Sequence, residues 1–191
     1  MANFEALALD MLGIGKKRLR KIPVGEDFRI DLIMLDEKIR QDRDNGLHPI
    51  CAIGIAGTTN TGAIDVNGVA DICRKHDFWF HVDAAYGGPA AALDDYKPVF
   101  NGMERAESLI VNPHIWMCIP FGAACVLVRN SEHMRRTFSL ISDYLKSRNR
   151  ENKQTDLMEY NLPLTKDFKG LKVWMTMKAH GGAQPASDDT R

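Results

Sequence analysis

"PICAIGIAG", residues 49–57, is a continuous apolar run of strand length. Continuous rather than alternating apolarity predicts a strand buried on both faces. A polar loop, Thr58–Gly62, follows it. Next come Val69, Ile72, Cys73 and His76, spaced i, i+3, i+4 and i+7, which predict a helix over 66–76. A second apolar run, Phe78–Asp83, predicts another buried strand. Strand, loop, helix, strand is a βαβ unit, and such units build parallel sheets with right-handed crossovers.

Working outward, further strands are predicted at 108–112 and 124–128, and a short one at 19–23 ended by Pro23. Helices are predicted at 3–13, 32–44, 131–147 and 167–180. Asp31 reads as the N-cap of the second helix, with Leu32, Leu35 and Ile39 on one face and Gly46 as a stop. Phe168, Leu171, Trp174 and Met175 are expected to face inward. The polar stretch 148–160 reads as a mobile loop and residues 182–191 as a disordered tail. The fold class is therefore α/β, an open, mostly parallel sheet flanked by helices.

Composition narrows the function classes. Of 191 residues, 45% are hydrophobic, and 25 basic residues balance 25 acidic ones. That balance gives no electrostatic argument for nucleic acid or for an anionic membrane. The basic run Lys16–Lys21 reads as a solvated turn. No apolar run is long enough to span a bilayer, and the N-terminus lacks the basic region of a signal peptide. Cys51, Cys73, Cys118 and Cys125 lie in apolar runs without CxxC spacing. They are expected to be buried free thiols in a reducing cytoplasm, not a zinc site.

In open α/β sheets, ligands sit beyond the carboxyl ends of strands. Three polar turns occupy that position: Thr58-Thr59-Asn60, Asp83–Gly88 and Asn112-Pro113-His114. A carboxylate at a strand end is costly unless it meets a cation or a hydrogen-bond donor. Asp83 could pair with a protonated pyridine nitrogen, with the small residues Ala84, Ala85, Gly87 and Gly88 letting a flat ring approach. It could equally cap the loop that follows. The spacing alone does not choose. His81, Asp83 and His114 also permit a metal reading, which is weaker because alternate strand residues must share one face with the core. No metal is expected. GxSxG is absent, and Trp116, Trp174 and Phe168 read as core.

"HVDAAYGG" (81–88) followed by "NPHIW" (112–116) resembles the pyridoxal-phosphate-dependent group II amino-acid decarboxylases. "AGTTNTGAID" (56–65) and "NLPLTKDFKGLKVWMTMKAHG" (161–181) are similar to further segments of that family, in the same order. The resemblance implies the large domain of a fold-type I pyridoxal-phosphate enzyme, here partial and spanning residues 1–181. It implies an amino acid as substrate and a homodimer as the family's assembly, the latter in doubt for this chain. It also implies site roles. Asp83 would pair with the pyridine nitrogen and Ala85 would pack on the ring. Thr58 would lie near the ring's edge, while Asn112 and His114 would line the phosphate and Schiff-base side. In the family a lysine follows that histidine and links the cofactor covalently. Here the position is Ile115, which cannot form an imine. The resemblance further implies a middle slice of the family's length, without the stacking residue and the small C-terminal domain. Two expectations follow. Either the chain is an inactive fragment or variant of a decarboxylase, or it is a catalytically dead module that binds a partner.

Overall fold

The computed structural model describes residues 2–139, 157–163, 165 and 167–180. The expected loop over 148–160, the C-terminal half of the helix expected at 131–147, and the tail at 182–191 fall wholly or largely outside the described residues. The chain divides into two compact units, Met1–Ile50 and Cys51–Arg191.

In the first unit, α1 is Ala2–Met11 and α2 is Leu32–Asp44. Asp31 caps α2 as its sequence predicts, its Oδ1 accepting from Met34 N at 2.9 Å. This satisfies one of the amides that a helix start leaves without a partner. Leu35 and Ile39 are buried on one face. Arg20 closes a salt bridge to the mostly buried Asp42 at 2.9 Å. The expected strand at 19–23 does not form. Only an isolated bridge, Val24 to Ile30, is present, because no neighbouring strand in this unit supplies a ladder.

The second unit holds a four-stranded sheet. Its strands are β1 (Cys51–Ile55), β2 (Trp79–Asp83), β3 (Ser108–Val111) and β4 (Cys125–Val128), in the order β1-β2-β3-β4. The first three are parallel and β4 is antiparallel to β3. Helix α3 (Asn67–His76) makes the crossover from β1 to β2 and buries Val69, Ala70, Ile72 and Cys73. Phe80 and Val82 are 1% and 0% exposed, and with Val66 and Val69 they form the centre of the core. Gly54 belongs to this packing, since a Cβ there would lie 3.1 Å from the Phe80 ring. Among the described residues the unit also holds the α-helices α4 (Pro113–Trp116), α5 (Ser131–Phe138) and α6 (Lys169–His180).

Three burial expectations are corrected. β1 is covered on one face only: Gly54 is buried while Cys51 and Ile53 are exposed, because no described element covers that face. Phe168, just before α6, and Leu171, Trp174 and Met175 on it are exposed rather than inward. The half-buried stripe is instead Lys172, Val173 and Thr176, so helical period marked an apolar stripe that no described element covers. The cysteines are all free, but only Cys73 is buried. Burial pushes its thiol up to about 12, which leaves it an inert core group.

Candidate cofactor site

Backbone bonds tie the ends of β1, β2 and β3 side by side. Ala56 N donates to Asp83 O at 2.8 Å, Ala84 N to Ile110 O at 3.0 Å, and Asn112 N to Ala85 O at 3.2 Å. Each bond links the end of one strand to the next. Two glycines make the approach possible. A Cβ on Gly87 would lie 2.5 Å from Ala56 O and 2.8 Å from Gly57 Cα, and Gly57 itself has φ +86. A Cβ on Gly88 would lie 2.9 Å from that of Ala84 and 3.1 Å from Val111. Sterics alone therefore require hydrogen as the side chain here.

Asp83 is half-buried at the end of β2, and its Oδ1 accepts from Ala85 N at 3.1 Å. That bond is the loop-capping interaction the sequence allowed. It uses one lone pair and leaves most of the carboxylate's acceptor capacity for another donor. Behind Asp83 on the same strand face, His81 Nδ1 lies 2.8 Å from Ser108 Oγ, which also accepts from Trp79 Nε1 at 2.8 Å. Burial lowers the His81 pKa from 6.5, opposed by the nearby Asp83 charge. The side chain is thus held in structural bonds, and among the described residues no group of three or more His, Cys, Asp and Glu could hold a metal ion.

The turn after β3 is a single helical turn, α4, with Asn112 as its N-cap residue. Asn112 Oδ1 is buried and has no hydrogen-bond partner among the described residues. His114 Nδ1 lies 2.5 Å from Ala123 O, and its ring packs edge-on against Phe121, with centroids 5.1 Å apart. Ile115, at the tip, is 42% exposed.

Thr58 sits differently from its expected neighbours. Its Oγ1 lies 2.5 Å from Thr61 Oγ1 and caps its own loop. It lines a cavity of about 520 Å³ together with Tyr86, Tyr96, Phe100 and Trp116, a lining that does not include Asp83, Asn112 or His114. Tyr86 and Trp116 meet edge to face there, centroids 5.3 Å apart. Trp116, read from sequence as core, is 45% exposed and belongs to this wall. Tyr86 was legible only as the aromatic residue inside "AAYGG". Lys172 was missed altogether; its Nζ donates to Phe121 O at 2.6 Å.

A carboxylate with free acceptor capacity beside alanines and glycines suits a flat cationic heteroaromatic ring. The residues present fit the ring of pyridoxal phosphate. The tip of α4 does not fit its aldehyde, because Ile115 carries no amine. Residues 8–184 match the Pyridoxal-dependent decarboxylase conserved domain, and the chain belongs to that family. It is 37% identical over 178 residues to an aromatic-L-amino-acid decarboxylase of Bacillus atrophaeus, covering 92% of this chain and 37% of the relative. It is 34% identical over 169 residues to a histidine decarboxylase of Drosophila melanogaster, covering 88% of this chain and 20% of the relative. The crystal structure of Oryza sativa TDC with PLP and tryptamine superposes with a TM-score of 0.84 at 32% identity, over 92% of this chain and 36% of that one. Mouse CSAD in apo form gives 0.84 at 27% identity, over 93% and 37%. The chain therefore spans little more than a third of the length of most of these relatives.

Proposed function

We propose that this chain is a cofactor-domain segment of a pyridoxal-phosphate-dependent L-amino-acid decarboxylase, and that it does not release CO₂ as it stands. The carrying observation is Ile115 at the tip of a turn whose other parts are intact. When bound, the cofactor's protonated ring supplies an electron sink for the pair left as a carboxyl departs. Asp83 would hold the proton at the ring nitrogen, and Ala85 would support one ring face. Asn112 and His114 would line the opposite edge, and Thr58 would stand at the mouth of the neighbouring aromatic cavity. The substrate would be an amino acid, as the names of the relatives indicate for them. A cytoplasmic setting goes with four free cysteines, and among the described residues no helix is long and apolar enough to cross a membrane.

The test is CO₂ release from a panel of carboxyl-labelled L-amino acids, with pyridoxal phosphate added. No release above that of the cofactor in buffer is expected; sustained turnover would contradict the proposal. A second reading, a catalytically dead partner-binding module, is favoured by the exposed apolar residues Leu171, Trp174, Met175 and Met177 on α6. It predicts that light scattering finds the chain associated with a full-length relative; a chain that stays monomeric in that mixture counts against it.

A further inference from the structure

The aromatic cavity is built separately from the Asp83 carboxylate. Part of its wall comes from two short 3₁₀ helices, Gly88–Ala92 and Lys97–Phe100, each with a proline in its first two positions. Proline suits a helix start, where its missing N–H leaves nothing unpaired. The chain between and through them is closed by Tyr96 N on Leu93 O at 3.1 Å and by Val99 N on Tyr96 O at 3.0 Å. Phe100 is buried, while Leu93, Tyr96, Val99 and Trp116, which line the same cavity, are 45–56% exposed. Gly57 and Gly87 also line it, and they sit too close together for either to carry a Cβ. That side of the cavity is therefore fixed before any ligand arrives. The volume of about 520 Å³ falls within the roughly 300–1,000 Å³ of small-molecule sites.

The lining decides the class of ligand. Four of its thirteen residues are aromatic and none is charged; Asp94, Asp95 and Lys97, from the same stretch of chain, are not among them. A charged group drawn inside would lose water and meet no counter-charge. Tyr86 and Trp116 already meet edge to face, their planes 83° apart. Ring pairs of this kind contribute beyond the burial of their area, and a third ring gains in the same way. We propose that this cavity binds an uncharged compound with one planar aromatic ring, of which a simple phenol is the type. The same ring occurs on an aromatic amino acid, which brings two charges with it, so the ligand is the free aromatic compound. Binding needs neither Asp83 nor an occupied cofactor floor, and the proposal stands apart from the decarboxylase reading.

The experiment is a ligand-observed NMR titration of the 191-residue chain with three probes. 4-Methylphenol is the neutral aromatic. 4-Methylcyclohexanol keeps its carbon skeleton and hydroxyl but has no flat ring. L-Tyrosine keeps the phenol ring and adds the two charges. 4-Methylphenol is expected to bind about tenfold more tightly than 4-methylcyclohexanol, and about tenfold more tightly than L-tyrosine. Trp116→Leu and Tyr96→Leu, both at half-exposed positions, should each weaken 4-methylphenol by about threefold or more. Asp83→Ala should leave its binding unchanged. Equal binding of 4-methylcyclohexanol would overturn the aromatic preference. L-Tyrosine binding as tightly as 4-methylphenol, or more so, would overturn the uncharged class. No saturable binding of 4-methylphenol, or binding untouched by both leucine substitutions, would overturn the site. Each of these three failures leaves the Asp83 floor as it was.

Discussion

The turn after β2 and the turn after β3 lie side by side and have different tolerances. Residues 84–88 have no room: Gly87 sits against Ala56 O and Gly57, and Gly88 against Ala84 and Val111. The 112–116 turn is anchored by backbone bonds and by His114 on Ala123, but its tip projects into partly open space, with Ile115 42% exposed. The first turn cannot change without disturbing the packing of three strands. The second can exchange its tip residue at almost no structural cost. A chemical group can thus be lost at Ile115 while the fold that presented it stays intact.

That contrast can be broken by mutation. The largest effect should come from beneath the first turn. Phe80→Ala empties the centre of the core and is expected to lower stability by about 4 kcal/mol, read as a shift of the urea midpoint. Gly87→Ala forces a Cβ into the Ala56 carbonyl and should cost about 2–3 kcal/mol by the same measurement. Ser108→Ala removes the shared acceptor of Trp79 and the partner of His81; a loss of about 1–2 kcal/mol is expected. Ile115→Lys should change stability by less than about 0.5 kcal/mol. A large loss there would show that the second turn is as constrained as the first.

His81 adds a pH arm. Burial holds its folded pKa below 6.5, so the unfolded chain binds the proton more readily. Its contribution is full above the unfolded value and is lost as pH falls from about 6.5 through the folded pKa. Urea midpoints should therefore drop on acidification across that window, and His81→Gln should reduce the drop.

Much of this was legible in the sequence. The βαβ unit, the Asp31 cap and the three strand-end turns follow from local patterning and turn chemistry, which act over a few residues. The Asp83, Asn112 and His114 positions followed from motif order. What was not legible depends on through-space neighbours. Nothing in "GG" at 87–88 says that Gly57 will lie against it, and nothing in "NPH" says that Asn112 Oδ1 will lack a donor. Helical period identified the apolar stripe of α6 correctly but could not say whether anything covers it. The stretch at 19–23 had strand composition and no strand to pair with. Trp116 read as core because tryptophan usually is, yet it lines an open cavity beside Tyr86.

The central claim is that the cofactor floor persists at Asp83 while its covalent anchor is gone at Ile115. The most direct measurement is the absorption spectrum of the chain titrated with pyridoxal phosphate, compared with Asp83→Ala. The account predicts no near-visible band that depends on Asp83, since any imine formed would be on surface lysines and would survive that substitution. A near-visible band lost in Asp83→Ala would contradict it, showing that another amine, with Lys172 beside Phe121 the first to map, reaches the ring in this site.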